Sequence, residues 1–355
     1  MTKSLQGVLV FEGQQQVNLE LSYPSFYQPR RYGLRRLAVL ALGLLLLLNW
    51  LQRGQAQTGE QQVIAIAAGG MHSLALTNMN AVVAWGAQGG FNQGQTLVPE
   101  GLSGIVDVAA GHTHSLALRR DGSIFAWGAF GEGVNFGQTE VPPSLPPAIA
   151  IAAGGGHSLA LLEGGRLAFW GSGTENVDTV DGVLAISAGN VHSLALRQDG
   201  QVVAWQHRDD SDVGQSDVPA GLSDIIDIAA GGAHSLALTR AGTIVAWGAQ
   251  QDELNVGQLD IPPDLTDVVD IAAGFLHSLA LTRDGTVVAW GAEGSQFDHG
   301  QSDVPDGLTD VIDVAAGFFH SVALTRDGRV VVWGARGEDV NAGQLELPAS
   351  IASQP

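Results

Sequence analysis

The stretch DVVDIAAGFLHSLALTRDGTVVAWG, residues 267–291, decides the fold. From Asp267 to Ala273 polar and apolar residues alternate until Gly274 interrupts them, the pattern of a short half-buried strand. His277 to Thr282 reads as a second strand. Asp284-Gly285 is a two-residue hairpin signal, because a type I′ turn needs positive φ and this pair tolerates it. Thr286 to Trp290 is a third strand, rich in β-branched residues that fit a pleated surface. Gly291 ends it. After a variable loop, Gly300-Gln301-Ser302-Asp303-Val304-Pro305 gives a short fourth stretch, which its proline assigns to an outer edge or a strand end. The expected unit is four antiparallel strands.

The unit recurs seven times. His72, His114, His157, His192, His234, His277 and His320 step by 42, 43, 35, 42, 43 and 43 residues. Trp85, Trp127, Trp170, Trp205, Trp247, Trp290 and Trp333 keep the same steps. A period near 40 with several strands per unit predicts an all-β, seven-bladed β-propeller. Its repeats begin near 62, 104, 147, 182, 224, 267 and 310, within a domain of residues 57–355. Both faces of a blade are covered by neighbours, so its strands are apolar almost throughout. Each tryptophan reads as the wedge between two blades. The small residues of Ala-Ala-Gly belong where blades converge, and closure of the ring removes the sheet edges. The 35-residue step arises because no Gly-Gln…Val-Pro follows Trp170, which predicts a lost or shortened fourth strand in the third blade.

The chain has 48 glycines, no cysteine and a net charge of −20. Neither disulfides nor thiol chemistry is available. Six basic residues against Glu12 and Glu20 leave residues 1–56 at +4 and the remainder at −24, without a lysine. A chain this acidic repels phosphate backbones, so no nucleic acid is expected among its partners. Negative charge keeps a glycine-rich β protein soluble, or offers an acidic face to a basic partner.

Arg30, Arg31, Arg35 and Arg36 precede an apolar run from Leu37 to Leu48, then Asn49-Trp50-Leu51. A basic flank, an apolar core at 37–51 and small residues at Gly54 and Ala56 form an export signal in a leader of residues 1–56. Cleavage is expected after Ala56, with the product in the periplasm, on the cell surface or secreted. The alternative is an uncleaved membrane anchor, for which the run is short. Arg30-Arg31 also loosely matches a twin-arginine motif.

The words Ala-Ala-Gly-x-x-His-Ser-Leu-Ala-Leu, Asp-Gly, Val-Val-Ala-Trp-Gly and Gly-Gln-x-x-Val-Pro resemble the repeat of the regulator of chromosome condensation family. The resemblance covers all seven repeats and implies a seven-bladed propeller. Gly137-Gln138-Thr139-Glu140-Val141-Pro142 is similar to the wording of a bacterial secreted branch of that family. That branch includes an inhibitory protein that grips β-lactamases with aromatic residues on one propeller face. It often carries an aromatic residue just before the repeat histidine. Here those positions are Met71, Thr113, Gly156, Val191, Ala233, Leu276 and Phe319, so Phe319 alone fits, with Phe318 and Phe275 beside it.

A group repeated by every blade does the same structural job in each, so the seven histidines read as scaffold bonding a neighbouring backbone carbonyl, and no metal is assigned to them. His112, His207 and His299 read as ordinary surface. The loops after each tryptophan vary most, and binding resides on such loops. The candidate binding face is Phe275, Leu276, Phe318, Phe319, Phe91, Phe130, Phe136 and Phe297. Asp209, Asp210 and Asp212 are candidate calcium ligands without a full loop pattern. No nucleophile sits beside a base, so no catalytic residue is assigned. The sequence thus points to an exported monomeric propeller that binds a protein or surface ligand through the loops of one face. The alternatives are a carbohydrate hydrolase or lyase using acidic loop residues, and a passive cell-envelope component.

Overall fold

The computed structural model describes residues 2–10, 16–24, 61–173, 180–207, 212–251, 253–337 and 339–352. The expected signal core, its cleavage site, and Asp209 and Asp210 lie outside these residues. Among the described residues no helix is long and apolar enough to cross a membrane. The chain divides into two units, Met1–Leu34 and Arg35–Pro355. In the first, strands β1 (Thr2–Val10) and β2 (Gln16–Pro24) pair antiparallel.

The second unit contains seven sheets of three antiparallel strands, each contiguous in sequence. In the first sheet, β3 (Val63–Ala68) pairs with β4 (His72–Thr77), which pairs with β5 (Val82–Gly86). The others occupy 105–128, 148–171, 183–206, 225–248, 268–290 and 311–334. His72 lies opposite Gly86, so the Ala-Ala-Gly turn and the loop after tryptophan leave from one end of the sheet. The hairpin leaves from the other. We call these the loop end and the hairpin end.

The expected fourth strand is absent. Gly-Gln-x-x-Val-Pro folds as turns and extended chain in every repeat that has it. Its glycine takes positive φ (Gly94 +83°, Gly300 +77°), which breaks a ladder, and its proline lacks a donor. The stretch instead lies along the seam between blades. Val98 and Leu102 pack on the wedge of Leu74, Ile105 and Trp127, and Val304 and Leu308 do the same one seam before closure. The third blade keeps the same three strands as the others, although no Gly-Gln stretch follows its tryptophan.

Around the axis each blade's Ala-Ala-Gly turn, Ser187-Ala188-Gly189 in the fourth blade, meets the next. The N–H of Gly70 donates to Gly111 O (3.0 Å), His112 to Gly154 O (3.0 Å), Asn190 to Gly231 O (3.0 Å) and Gly232 to Gly274 O (2.9 Å). Phe318 N–H donates to Gly70 O at 3.3 Å, across the seam of last blade and first. A Cβ on Gly69 would stand 2.2 Å from Gly111 O and 2.6 Å from the His72 ring, so only glycine fits. The closing seam between the last blade and the first also buries Val63, Trp85, Leu324 and Ile351, the last from the short helix Ala349–Ala352.

Candidate functional site

The repeat histidines and serines form one circle. His72 Nε2 lies 2.9 Å from Ser115 Oγ of the next blade, His114 2.9 Å from Ser158, and His277 3.0 Å from Ser321. His320 closes the circle on Ser73 at 2.8 Å. Ser115 Oγ donates in turn to Gln95 O (2.8 Å), so its lone pair must accept the proton on His72 Nε2. Trp127 Nε1 donates to the same Gln95 carbonyl (2.8 Å). The Gln95 side chain folds its own loop, accepting from Gln93 N–H and donating to Phe91 O. The sequence reading expected a backbone carbonyl as the histidine's partner; the carbonyl is one hydroxyl further on. Burial lowers the ring pKa values from 6.5 to about 3 for His72, His114, His192, His234 and His277, and to about 4 for His320. Burial drives His157 down as well. Neutral imidazoles are what this circle needs, because a proton on Nδ1 of His72, His114, His192, His234, His277 or His320 would meet no acceptor.

His207 is not surface. It replaces the Gly-Gln that the third repeat lacks. Its Nδ1–H donates to Gly173 O (3.0 Å), which leaves Nε2 to accept from Ser193 Oγ–H (2.8 Å). Ser193 therefore still accepts from His157 Nε2 (2.9 Å). The signal was in the sequence: two residues after the tryptophan other repeats carry Ala or Ser, and this one carries His.

The predicted face divides in two. At the axial mouth the first variable positions converge around a cavity of about 60 Å³ whose lining includes His112, Asn190, Phe275 and Phe318. Phe275 and Phe318 stack with centroids 4.7 Å apart, and Phe319 stands edge-on to both at 6.5 and 6.3 Å. His112 packs on Phe318 at 4.5 Å and His299 edge-on to Phe319 at 4.8 Å. Nδ1–H of His299 donates to Arg336 O. All three phenylalanines are half-buried, so they are neither core nor fully free. Sequence reasoning missed both histidines of this cluster.

Leu276 does not belong to the open face. It is 1 % exposed and packs with Val213 and Ala233, with Phe275 and Phe297 on that cluster's margin. Phe91, Phe130 and Phe136 stand apart on loops of the first blades, 39, 70 and 46 % exposed. Phe130 lies over Gly94 and Phe136 over Gly156, sites where a Cβ would collide with the ring. Asp212 Oδ1 accepts from Gly214 N–H, the role of a turn residue. Among the described residues no group of three His, Asp or Glu is placed to hold a metal, and Asp270 is the one buried carboxylate, its Oδ1 accepting from Ile271 N–H.

Residues 105–134, 225–252, 268–301 and 311–337 match the profile of the regulator of chromosome condensation (RCC1) repeat. No curated protein matches the chain in sequence. Prp20p of Saccharomyces cerevisiae, whose structure was described with its binding to Gsp1p and histones, aligns over 74 % of this chain and 82 % of its own (24 % identity, TM-score 0.57). The CRINKLY WD40 ectodomain of the Arabidopsis thaliana receptor kinase ACR4 aligns over 81 % of this chain and all of its own (19 %, 0.60). Human WBSCR16 aligns over 76 and 88 % (20 %, 0.55). These likenesses concern the fold.

Proposed function

We propose that this propeller of RCC1 repeats is an exported scaffold that binds another protein through its loop end. The carrying observation is the half-buried aromatic cluster of Phe275, Phe318 and Phe319, grouped by the fold at the mouth of the axis and left partly open to solvent. Apolar side chains gathered in this way on a rigid frame, rimmed by polar loops, mark interaction sites. The description of the similar Prp20p, which binds Gsp1p and histones, supports protein binding as a use of this fold. The export reading rests on the basic flank and apolar run of residues 30–51. The net negative charge argues against nucleic acid as the ligand.

The test is capture of partners from the native envelope fraction with the mature chain from Gln57. Phe318→Ala with Phe319→Ala should abolish capture while the melting temperature stays within a few degrees. An unfolded double variant, or undiminished capture, would remove the aromatic cluster from the binding site.

A further inference from the structure

Charge is segregated between the two ends of the propeller. Among the described residues the loop end holds one arginine, Arg336, and it is already paired with Asp303. Every other described arginine of the repeats, from Arg119 to Arg329, sits in or beside a hairpin between the second and third strands of a blade. There it faces acids of its own end, as Arg197 faces Asp199 (3.4 Å) and Arg240 faces Asp224 (3.9 Å). The hairpin end is thus mixed in sign. The loop end is acidic: Glu253, Asp260, Glu293 and Asp339 are exposed there, around the sector that holds Phe275, Phe318 and Phe319. Asp298 beside His299 keeps its carboxyl below the usual range through N–H groups of Gly294 and Gly300, so it stays ionised.

We infer that the partner of the loop end is a basic protein segment that sets an apolar or aromatic anchor on the Phe275–Phe318–Phe319 cluster and Lys or Arg side chains against the surrounding carboxylates. This rests on the binding reading above and adds the partner's chemistry. A net charge spread evenly would attract cations everywhere. Segregation orients them, because an approaching cation feels only the charges within about a Debye length, roughly 8 Å at physiological salt. Like charge on a partner costs affinity at such a rim, and complementary charge raises the association rate.

The probes are dye-labelled peptides Lys-Lys-Trp-Lys-Lys, Lys-Lys-Ser-Lys-Lys and Glu-Glu-Trp-Glu-Glu, measured by fluorescence anisotropy on the propeller. The first should bind tightest, at least tenfold above the third, and weaken with added salt. Glu253→Lys, Glu293→Lys and Asp339→Lys together should lower its affinity tenfold or more. The same charge change at the hairpin end, Glu163→Lys, Asp264→Lys and Asp306→Lys, should leave it within twofold. Equal losses from both triples would show that net charge alone attracts the peptide and would overturn the inference. If Phe318→Ala with Phe319→Ala abolishes binding but the loop-end triple does not, the aromatic face stands and the basic partner falls. If that pair has no effect on the first peptide, the anchor falls and the aromatic binding site falls with it.

Discussion

Acid should open this propeller through its own circle of histidines. Seven imidazoles are held neutral inside it, six with folded pKa values of about 3 to 4 and His157 also pushed well down by burial, against 6.5 in an unfolded chain. Each value is depressed, so the unfolded state binds the extra proton first. The stabilisation is complete above pH 6.5 and drains away as pH falls toward the folded values. Each group loses about 1.4 kcal/mol per pH unit in that window, hence on the order of 2 kcal/mol at pH 5. Seven together lose on the order of 14 kcal/mol, as much as the whole stability of a typical domain, about 5–15 kcal/mol. The exposed Asp121, Asp284 and Asp327, lowered by hydrogen bonds from Ser or Thr, act in the same direction but only below the ordinary carboxylate range. Urea denaturation at a series of pH values measures the effect directly. The slope of unfolding free energy against pH should correspond to about six protons taken up per molecule between pH 6 and 5. A slope below about two protons would refute the argument, because it would mean the histidines titrate in the folded ring.

Other consequences are local. His207→Ala leaves the Ser193 hydroxyl without its acceptor and Gly173 O without its donor, and should cost about 2–4 kcal/mol in urea unfolding, against less than about 0.5 for exposed His112→Ala. Trp247→Phe deletes the bond to Gln215 O; Trp205→Phe faces no Gly-Gln carbonyl, so its loss should be smaller by about 1 kcal/mol, read as the difference between the two melting curves. Gly231→Ala puts a Cβ 2.5 Å from Gly274 O and should cost several kcal/mol, whereas Gly101→Ala, at φ +78° with open space around it, should cost about 1 kcal/mol from backbone strain alone.

Much of the fold was legible because period is a property of sequence. The histidine and tryptophan series gave the blade count, and Ala-Ala-Gly gave the axis. The fourth strand was misread for a physical reason. Val304-Pro305 has the apolar character of a strand, but Gln301 O bonds Ser321 and Trp333, 20 and 32 residues away and on the next blade. Such pairings leave no local pattern. His207 hid for the same reason: it compensates for residues that are missing 34 positions earlier. At the site, the two variable positions of each turn were legible as variable, but which one opens to solvent was not. Leu276 turns inward onto Val213, while Phe319, in the corresponding position, stays half-open against His299.

Because each blade is built from one unbroken stretch and each seam repeats one histidine-to-serine contact, the blades are interchangeable parts with a standard fitting. A chain cut between any two ordinary blades and rejoined at its old ends would present every seam with the contacts it already has. The joint between the third and fourth blades is the exception. There the fitting has been customised on both sides, by a shortened connection and by His207, so those two units travel together: neither could be duplicated, deleted or exchanged alone without leaving a hydroxyl or a carbonyl unanswered.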